Sequence, residues 1–338
     1  MEQFDFHKAR ERVKQAKRIA ICSHTNPDGD AIGSSLGLYH ALKTIHNGEI
    51  RILIPNDFPA FLKWLPAAEE IVICEESKQE AGEIILGADL IFCLDFNDIS
   101  RTEQCSEALQ KTGAEKILID HHPNPKQQFD LLYSTTSTSS TAELVYGFIK
   151  SFGLPSMLNS ESAQSIYTGI MTDTGSFSYL CNYESTYLAV ADLIKAGVDA
   201  EQLHRLVYDT YSANRLRLLG FCLSERLKIL KEYHTAYIYL YQKDLERFNY
   251  QVGDIEGVVN YPLSIEEIHF ALLFREQDGK VRISMRSKGS FPVNDFARKH
   301  FIGGGHKNAA GADSLLSLDK SLEKFEQLLP QYKMELSV

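Results

Sequence analysis

The chain reads as an α/β protein, with an N-terminal, mainly parallel sheet flanked by helices, a helical connector and a smaller C-terminal α+β domain. Through the first half, short β-branched and Leu-rich runs alternate with helical patterns, as βα units do when a sheet is buried on both faces. From Glu184 to about Arg226 the pattern is helical throughout and free of proline. Beyond it come further strand-like runs around a turn dipeptide, Asp278-Gly279. The length of 338 residues exceeds one usual core and agrees with this division. The boundaries fall at 1–185, 186–228 and 229–338.

In order, Arg18 to Ser23, Glu49 to Ile54, Ile71 to Cys74, Leu90 to Leu94 and Lys116 to Ile119 read as strands. Ala31 to Ile45 is the first helix, entered from the turn Asp28-Gly29-Asp30, where Gly29 permits a tight bend between carboxylates. Ser137 to Ser140 would cap a helix over Ala142 to Phe152. In the last part, Thr235 to Tyr241, Ile268 to Arg275 and Lys280 to Arg286 read as strands. The third alternates Val281, Ile283 and Met285 with Arg282, Ser284 and Arg286, giving one apolar face and one basic face.

A formal net charge of −10 argues against a broad footprint on long duplex nucleic acid and favours short or small anionic partners. Six cysteines are scattered without the spacing of a disulfide framework, which suits a reducing, cytoplasmic setting. Met1 to Arg10 is too polar for a signal peptide and no apolar run is long enough to span a membrane, so no membrane partner is expected.

The chemistry lies in acidic islands at strand ends: His24 to Asp30, Asp95 after Leu94, the tripeptide Asp120-His121-His122, and Asp173 in Thr172 to Gly175. In open α/β sheets the carboxyl ends of the strands form the ligand-binding edge, so these residues can converge. Each has an ordinary account: Asp30 as a helix cap, Asp95 as a solvated strand end, Asp173 at a helix C-terminal turn. Taken together, so many carboxylates in one crevice repel one another unless cations neutralise them. Oxygen-rich sites with one or two imidazoles suit Mn²⁺, with Mg²⁺ or Co²⁺ as alternatives, and no Cys-x-x-Cys pair suggests structural zinc.

These islands, in this order, resemble the motifs of the DHH phosphoesterase family, and Gly303-Gly304-Gly305-His306 followed by Ala309-Ala310-Gly311 is similar to the first type of DHH-associated domain. The resemblance implies two divalent metal ions, one held by His24 and Asp28, the other by Asp30, with Asp95 bridging both and His121 and Asp173 as further metal ligands. Asp120 would fix an imidazole tautomer, and His122 would touch phosphate or support the metals. Arg101, six residues after Asp95, is a candidate phosphate contact. Arg286 matches the basic residue of the associated domain's strand motif, and with Gly303, Gly304, Gly305 and His306 it would grip the substrate. The implied reaction is attack of a two-metal-activated hydroxide on a phosphate ester.

Within the family, neither the further nucleic-acid domain of RecJ-type exonucleases nor the membrane and sensory regions of anchored cyclic-dinucleotide phosphodiesterases is expected of this sequence. The resemblance therefore implies hydrolysis of short oligoribonucleotides to mononucleotides and removal of the 3′-phosphate of 3′-phosphoadenosine 5′-phosphate. The alternative is a phosphodiesterase for cyclic di-AMP or its linear product. A nucleotide-binding sensor without catalysis is a further alternative, and the helical connector offers a surface for a homodimer.

Overall fold

The computed structural model describes residues 4–277 and 279–337. The chain divides into two compact units, Met1–Thr210 and Tyr211–Val338. Asp278, half of the expected turn dipeptide, lies outside the described residues.

The first unit runs α1 (Phe6–Gln15), β1 (Arg18–Cys22), α2 (Gly29–Lys43), β2 (Glu49–Ile54), β3 (Val72–Ile73), α3 (Lys78–Gly87) and β4 (Leu90–Leu94). A 3₁₀ segment (Ile99–Cys105) follows, then α4 (Ser106–Lys111), β5 (Glu115–Asp120), β6 (Leu131–Ser134), α5 (Thr141–Ser151), α6 (Ser160–Asp173), α7 (Glu184–Lys195) and α8 (Ala200–Tyr208). All pairings in its sheet are parallel, in the order β3-β2-β1-β4-β5-β6. Alternate residues feed two layers. Ile19, Ile21, Phe92 and Ile119 pack with Ile32 and Leu36 of α2 and Val145 and Phe148 of α5. Ala20, Cys22, Cys93 and Leu118 face Ala81 and Ile85 of α3 and Leu109 of α4. Burial on both faces explains why β1, β4 and β5 are nearly continuous apolar runs in sequence.

Cys74 and Cys105 are joined by a disulfide, with Cα atoms 6.7 Å apart. Their separation of 31 residues carries no sequence signature, because the fold brings them together. The other four cysteines are buried and free.

The second unit contains α9 (Ala213–Glu225), β7 (Leu227–Leu230), β8 (Thr235–Leu240), α10 (Gln242–Arg247), β9 (Phe270–Gln277), β10 (Lys280–Ser287), α11 (Val293–His300), β11 (Ile302–His306), β12 (Ala309–Ser314), α12 (Leu318–Leu328) and α13 (Lys333–Leu336). Its sheet is mixed, ordered β11-β12-β10-β9-β8-β7, with β8 and β9 parallel and the other neighbours antiparallel. Val281, Ile283 and Met285 pack on Phe296 of α11 and Phe325 of α12. On the other face, Ile238 and Leu273 are covered by Leu218 of α9 and Leu245 of α10. The stretch read as a connector is three helices, of which α7 and α8 lie in the first unit and α9 in the second. Among the described residues no helix is long and apolar enough to cross a membrane.

Candidate active site

Strand order runs outward in both directions from the neighbours β1 and β4, so their carboxyl ends form a topological switch point. His24 and Asp95 leave those two strands and meet there, His24 Nε2 lying 3.2 Å from Asp95 Oδ2. Asp95 is in the left-handed region, φ 66°, a strain of roughly 1 to 3 kcal/mol of the kind that collects at functional sites. Its other oxygen, Oδ1, accepts the hydroxyl of Thr141 at 2.9 Å and lies 3.4 Å from His121 Nε2. Asp95 thus presents one oxygen to each of two histidines.

The loop His24 to Asp30 is arranged by α2. Asp28, rather than Asp30, caps the helix, accepting the N–H groups of Asp30 and Ala31 at 3.0 and 3.1 Å. Asp30 therefore falls in the first turn and points inward, 1% exposed. There it accepts from the backbone N–H groups of Thr141 (2.7 Å) and Ala142 (2.8 Å) at the start of α5. A helix N-terminus is a natural partner for a carboxylate. His121 Nε2 is 3.6 Å from Asp173 Oδ2 and 3.8 Å from Asp30 Oδ2.

Asp173 ends α6, as the ordinary account of a helix C-terminus had it, yet it also reaches the cluster because α2 and α6 pack unusually closely. A Cβ on Gly29 would lie 2.2 Å from Thr172 Oγ1, and one on Gly33 would lie 2.6 Å from the Ser165 carbonyl. Gly29 is helical, so close approach to α6 requires it, not the tight bend expected from sequence.

The electrostatics are those of uncompensated acid. Burial, then the charges of Asp95 and Asp173, push the Asp30 carboxyl well above the ordinary range. Burial and Asp95 raise Asp120 to about 7. Burial opposes ionisation of Asp95 as well, but hydrogen bonds from His121 and His24 outweigh it and hold Asp95 well below its usual value. Burial disfavours a charged His121, yet Asp173 and Asp95 lift it to about 10. Imidazoles thus carry protons where cations would serve.

Donor atoms lie within 4.8 Å of one another in each of the sets His24–Asp28–Asp95, Asp30–Asp95–His121 and Asp95–Asp120–His122, and Asp95 is common to all. Asp120 Oδ1 is 2.7 Å from His122 Nδ1, while its buried Oδ2 has no hydrogen-bond partner. Carboxylate oxygens with imidazole nitrogens, buried and under-neutralised, fit divalent cations.

Arg101 sits in the 3₁₀ segment, where its carbonyl accepts from Thr25 N–H at 2.8 Å. Its charge disfavours protonation of both His24 and Asp120, which places an anion-attracting group beside the cluster. In the second unit, Arg286 shares a face of β10 with Arg282 and Ser284, and its Nη1 donates to the Met285 carbonyl at 2.9 Å. Gly303 to His306 form the edge strand β11. A Cβ on Gly303 would lie 2.2 Å from the Gly311 carbonyl and one on Gly305 2.6 Å from that of Ala309, so β12 itself requires those glycines. Gly304 keeps open space, with nothing nearer than 3.6 Å.

Thr141 was missed in the sequence. The Ser/Thr cluster before α5 signals a cap, and Ser140 does accept from Glu143 N–H at 3.1 Å, but the next residue turns its hydroxyl to Asp95.

The sequence pattern described as the DHH family, N-terminal domain, matches residues 18–170, and that of the DHHA1 domain matches residues 232–333. The bifunctional oligoribonuclease and PAP phosphatase NrnA of Bacillus subtilis is 31% identical over 306 residues, covering 90% of this chain and 91% of that protein. The cyclic-di-AMP phosphodiesterase GdpP of Bacillus subtilis is 26% identical and covers 96% of this chain, but only 49% of its own length is matched. Among solved structures, an exopolyphosphatase-related protein from Bacteroides fragilis superposes with a TM-score of 0.94 at 40% identity, over 100% of both chains. With a relative alike along nine-tenths of its length and both matched regions in sequence, the chain belongs to the DHH family of phosphoesterases and carries a DHHA1 domain as its second part.

Proposed function

We propose that this chain hydrolyses short oligoribonucleotides to mononucleotides and removes the 3′-phosphate of 3′-phosphoadenosine 5′-phosphate. The observation that carries this reading is Asp95, with His24 on one oxygen and His121 beside the other. In that position it would be shared by two divalent cations, with His24 and Asp28 on one side and Asp30, His121 and Asp173 on the other. Mn²⁺ suits this mixture of oxygen and imidazole donors. When bound, such a pair supplies charge neutralisation at the phosphate and a more acidic water for in-line attack.

The chain's own residues do the remaining work. Thr141 fixes the Asp95 carboxylate, and the start of α5 fixes Asp30, so neither has to reorganise during reaction. Asp120 accepts from Nδ1 of His122, which leaves Nε2 to contact a phosphate oxygen or to pass a proton. Arg101 supplies positive charge, while Arg286 and His306 would hold the remote phosphate or the nucleotide. The likeness to NrnA along almost the whole of both chains supports these substrates. Similarity to GdpP favours cyclic di-AMP as a second reading, with the smaller weight that half-length coverage gives it.

The test is hydrolysis, with Mn²⁺, of a short oligoadenylate, 3′-phosphoadenosine 5′-phosphate and cyclic di-AMP in parallel, with Asp95→Ala as the control. Release of AMP from the first two is the expected result. Preferential opening of cyclic di-AMP would move the chain to the second reading, and no turnover of any substrate would leave a nucleotide-binding sensor.

A further inference from the structure

Between the end of α6 and the start of α7 the backbone is strained at several places. Gly175 (φ 53°), Ser176 (φ 56°), Phe177 (φ 62°) and Leu180 (φ 50°) all lie in the left-handed region. Side chains rarely adopt it, and where the surrounding structure enforces it the position is a candidate for function. Here the surroundings do enforce it. The carbonyl of the fully buried Thr174 accepts the N–H groups of Ser178 at 2.8 Å and Tyr179 at 3.1 Å. Its hydroxyl accepts Phe177 N–H at 3.0 Å and donates to the Ile170 carbonyl at 2.7 Å. Phe177 is itself packed on the core of the first unit, its ring centre 6.0 Å from that of Tyr167.

The turn so pinned carries Tyr179 back over its own start. A Cβ on Gly175 would lie 2.1 Å from Cε2 of the Tyr179 ring, so the seat of the ring requires this glycine as much as its backbone angle does. Gly175 is two residues beyond Asp173, whose Oδ2 is 3.6 Å from His121 Nε2. Tyr179 still keeps 47% of its surface exposed. An aromatic ring fixed in place beside an anion-binding cluster offers nothing to a phosphate, but it matches the one uncharged, planar part of a nucleotide. Base–aromatic stacking suits every base, since each has a π face, and a ring already held in position loses little freedom on binding. Resting on the reading of the substrates as nucleotides, we infer that Tyr179 is the stacking platform for the nucleobase nearest the phosphate that is cleaved. It would accept any of the four bases in an oligoribonucleotide.

Steady-state hydrolysis by the Mn²⁺-loaded full chain tests this, with 3′-phosphoadenosine 5′-phosphate and its abasic analogue, the same bisphosphate with hydrogen in place of adenine. Tyr179→Ala raises KM for the adenine compound roughly tenfold with kcat held, and leaves KM for the abasic compound as it was. Tyr179→Phe and Tyr179→Trp keep the KM of the unaltered chain. Leu180→Ala, at a similarly exposed side chain of the same turn (44%), changes KM for neither compound. Binding is read separately with ethenoadenosine 5′-monophosphate, whose fluorescence is quenched by an aromatic ring stacked on it. The unaltered chain and Tyr179→Phe quench it, and Tyr179→Ala does not. An equal rise in KM on both compounds, a loss that no aromatic residue restores, or quenching that survives Tyr179→Ala would overturn the inference while AMP release by the unaltered chain left the proposed function standing. If the unaltered chain turned over no substrate, that function would fall, and the quenching alone would decide the role of Tyr179.

Discussion

Asp95 and Asp244 are both buried carboxylates, and both are held below their usual ionisation range. Asp244, in the second unit, is gripped by Arg226 through two hydrogen bonds of 2.9 Å and also accepts Tyr241 N–H at 3.1 Å. A guanidinium never gives up its charge, so this carboxylate is fully compensated and has nothing left to bind. Asp95 is partnered by titratable imidazoles and a hydroxyl, and other carboxylates crowd it. Burial marks neither as functional. What separates a structural acid from a reactive one is whether the fold supplies its counter-charge or leaves it to a ligand.

The largest effect expected from this contrast is at Asp95. Asp95→Ala should lower turnover on every substrate by roughly a thousandfold or more, since both proposed cations would share that carboxylate. Turnover retained in that variant would break the comparison. In the second unit, Arg286→Ala should reduce kcat/KM by roughly a hundredfold, mainly through KM, as loss of a charge-assisted phosphate contact does. A fall confined to kcat would contradict its binding role. Asp244→Ala should instead cost stability, about 3 kcal/mol, by stranding Arg226. Denaturant melts should show the loss while the native fraction stays active. Thr141→Val should reduce kcat about tenfold through loosened positioning of Asp95, and Thr141→Ser should recover it.

The smallest effect is on pH dependence in chelated protein. His121 is lifted from 6.5 to about 10, so the stability it lends is complete below pH 6.5 and is lost as pH rises towards 10. Asp120, lifted from 3.8 to about 7, acts in the same direction over that lower window. Asp95 acts oppositely, and its contribution is lost as pH falls well below 3.8. Tm should therefore decline from near neutral pH into the alkaline range under chelation, and Mn²⁺ should flatten the decline by taking the place of the His121 proton. An alkaline decline equally steep with Mn²⁺ present would contradict that exchange.

Much of this was legible in the sequence where burial leaves a continuous signal. Glu49 to Ile54 and Leu90 to Leu94 are strands with those bounds, and the acidic residues at their ends are brought together by a sheet order that reverses at β1 and β4. The edge strand β11 was not legible, because Gly303, Gly304 and Gly305 have no strand propensity and are ordered by pairing with β12. Helix α6 was legible only at its C-terminal turn, for another reason. Its residues from Ser162 to Met171 are mostly buried, so it lacks the polar face that gives an amphipathic period, and its fit against α2 depends on Gly33 and Gly169 meeting in space. Thr141 fell between the expected cap, Ser137 to Ser140, and the expected helix from Ala142, and took no role, since spacing cannot show where a hydroxyl points.

Paramagnetic resonance of the Mn²⁺-loaded chain tests the central claim most directly, with metal content measured on the same sample. Two ions per chain with an exchange-coupled spectrum, both lost in Asp95→Ala, are the result expected of a carboxylate shared between two cations. A single uncoupled ion, or two ions that remain bound and coupled without Asp95, would contradict the account.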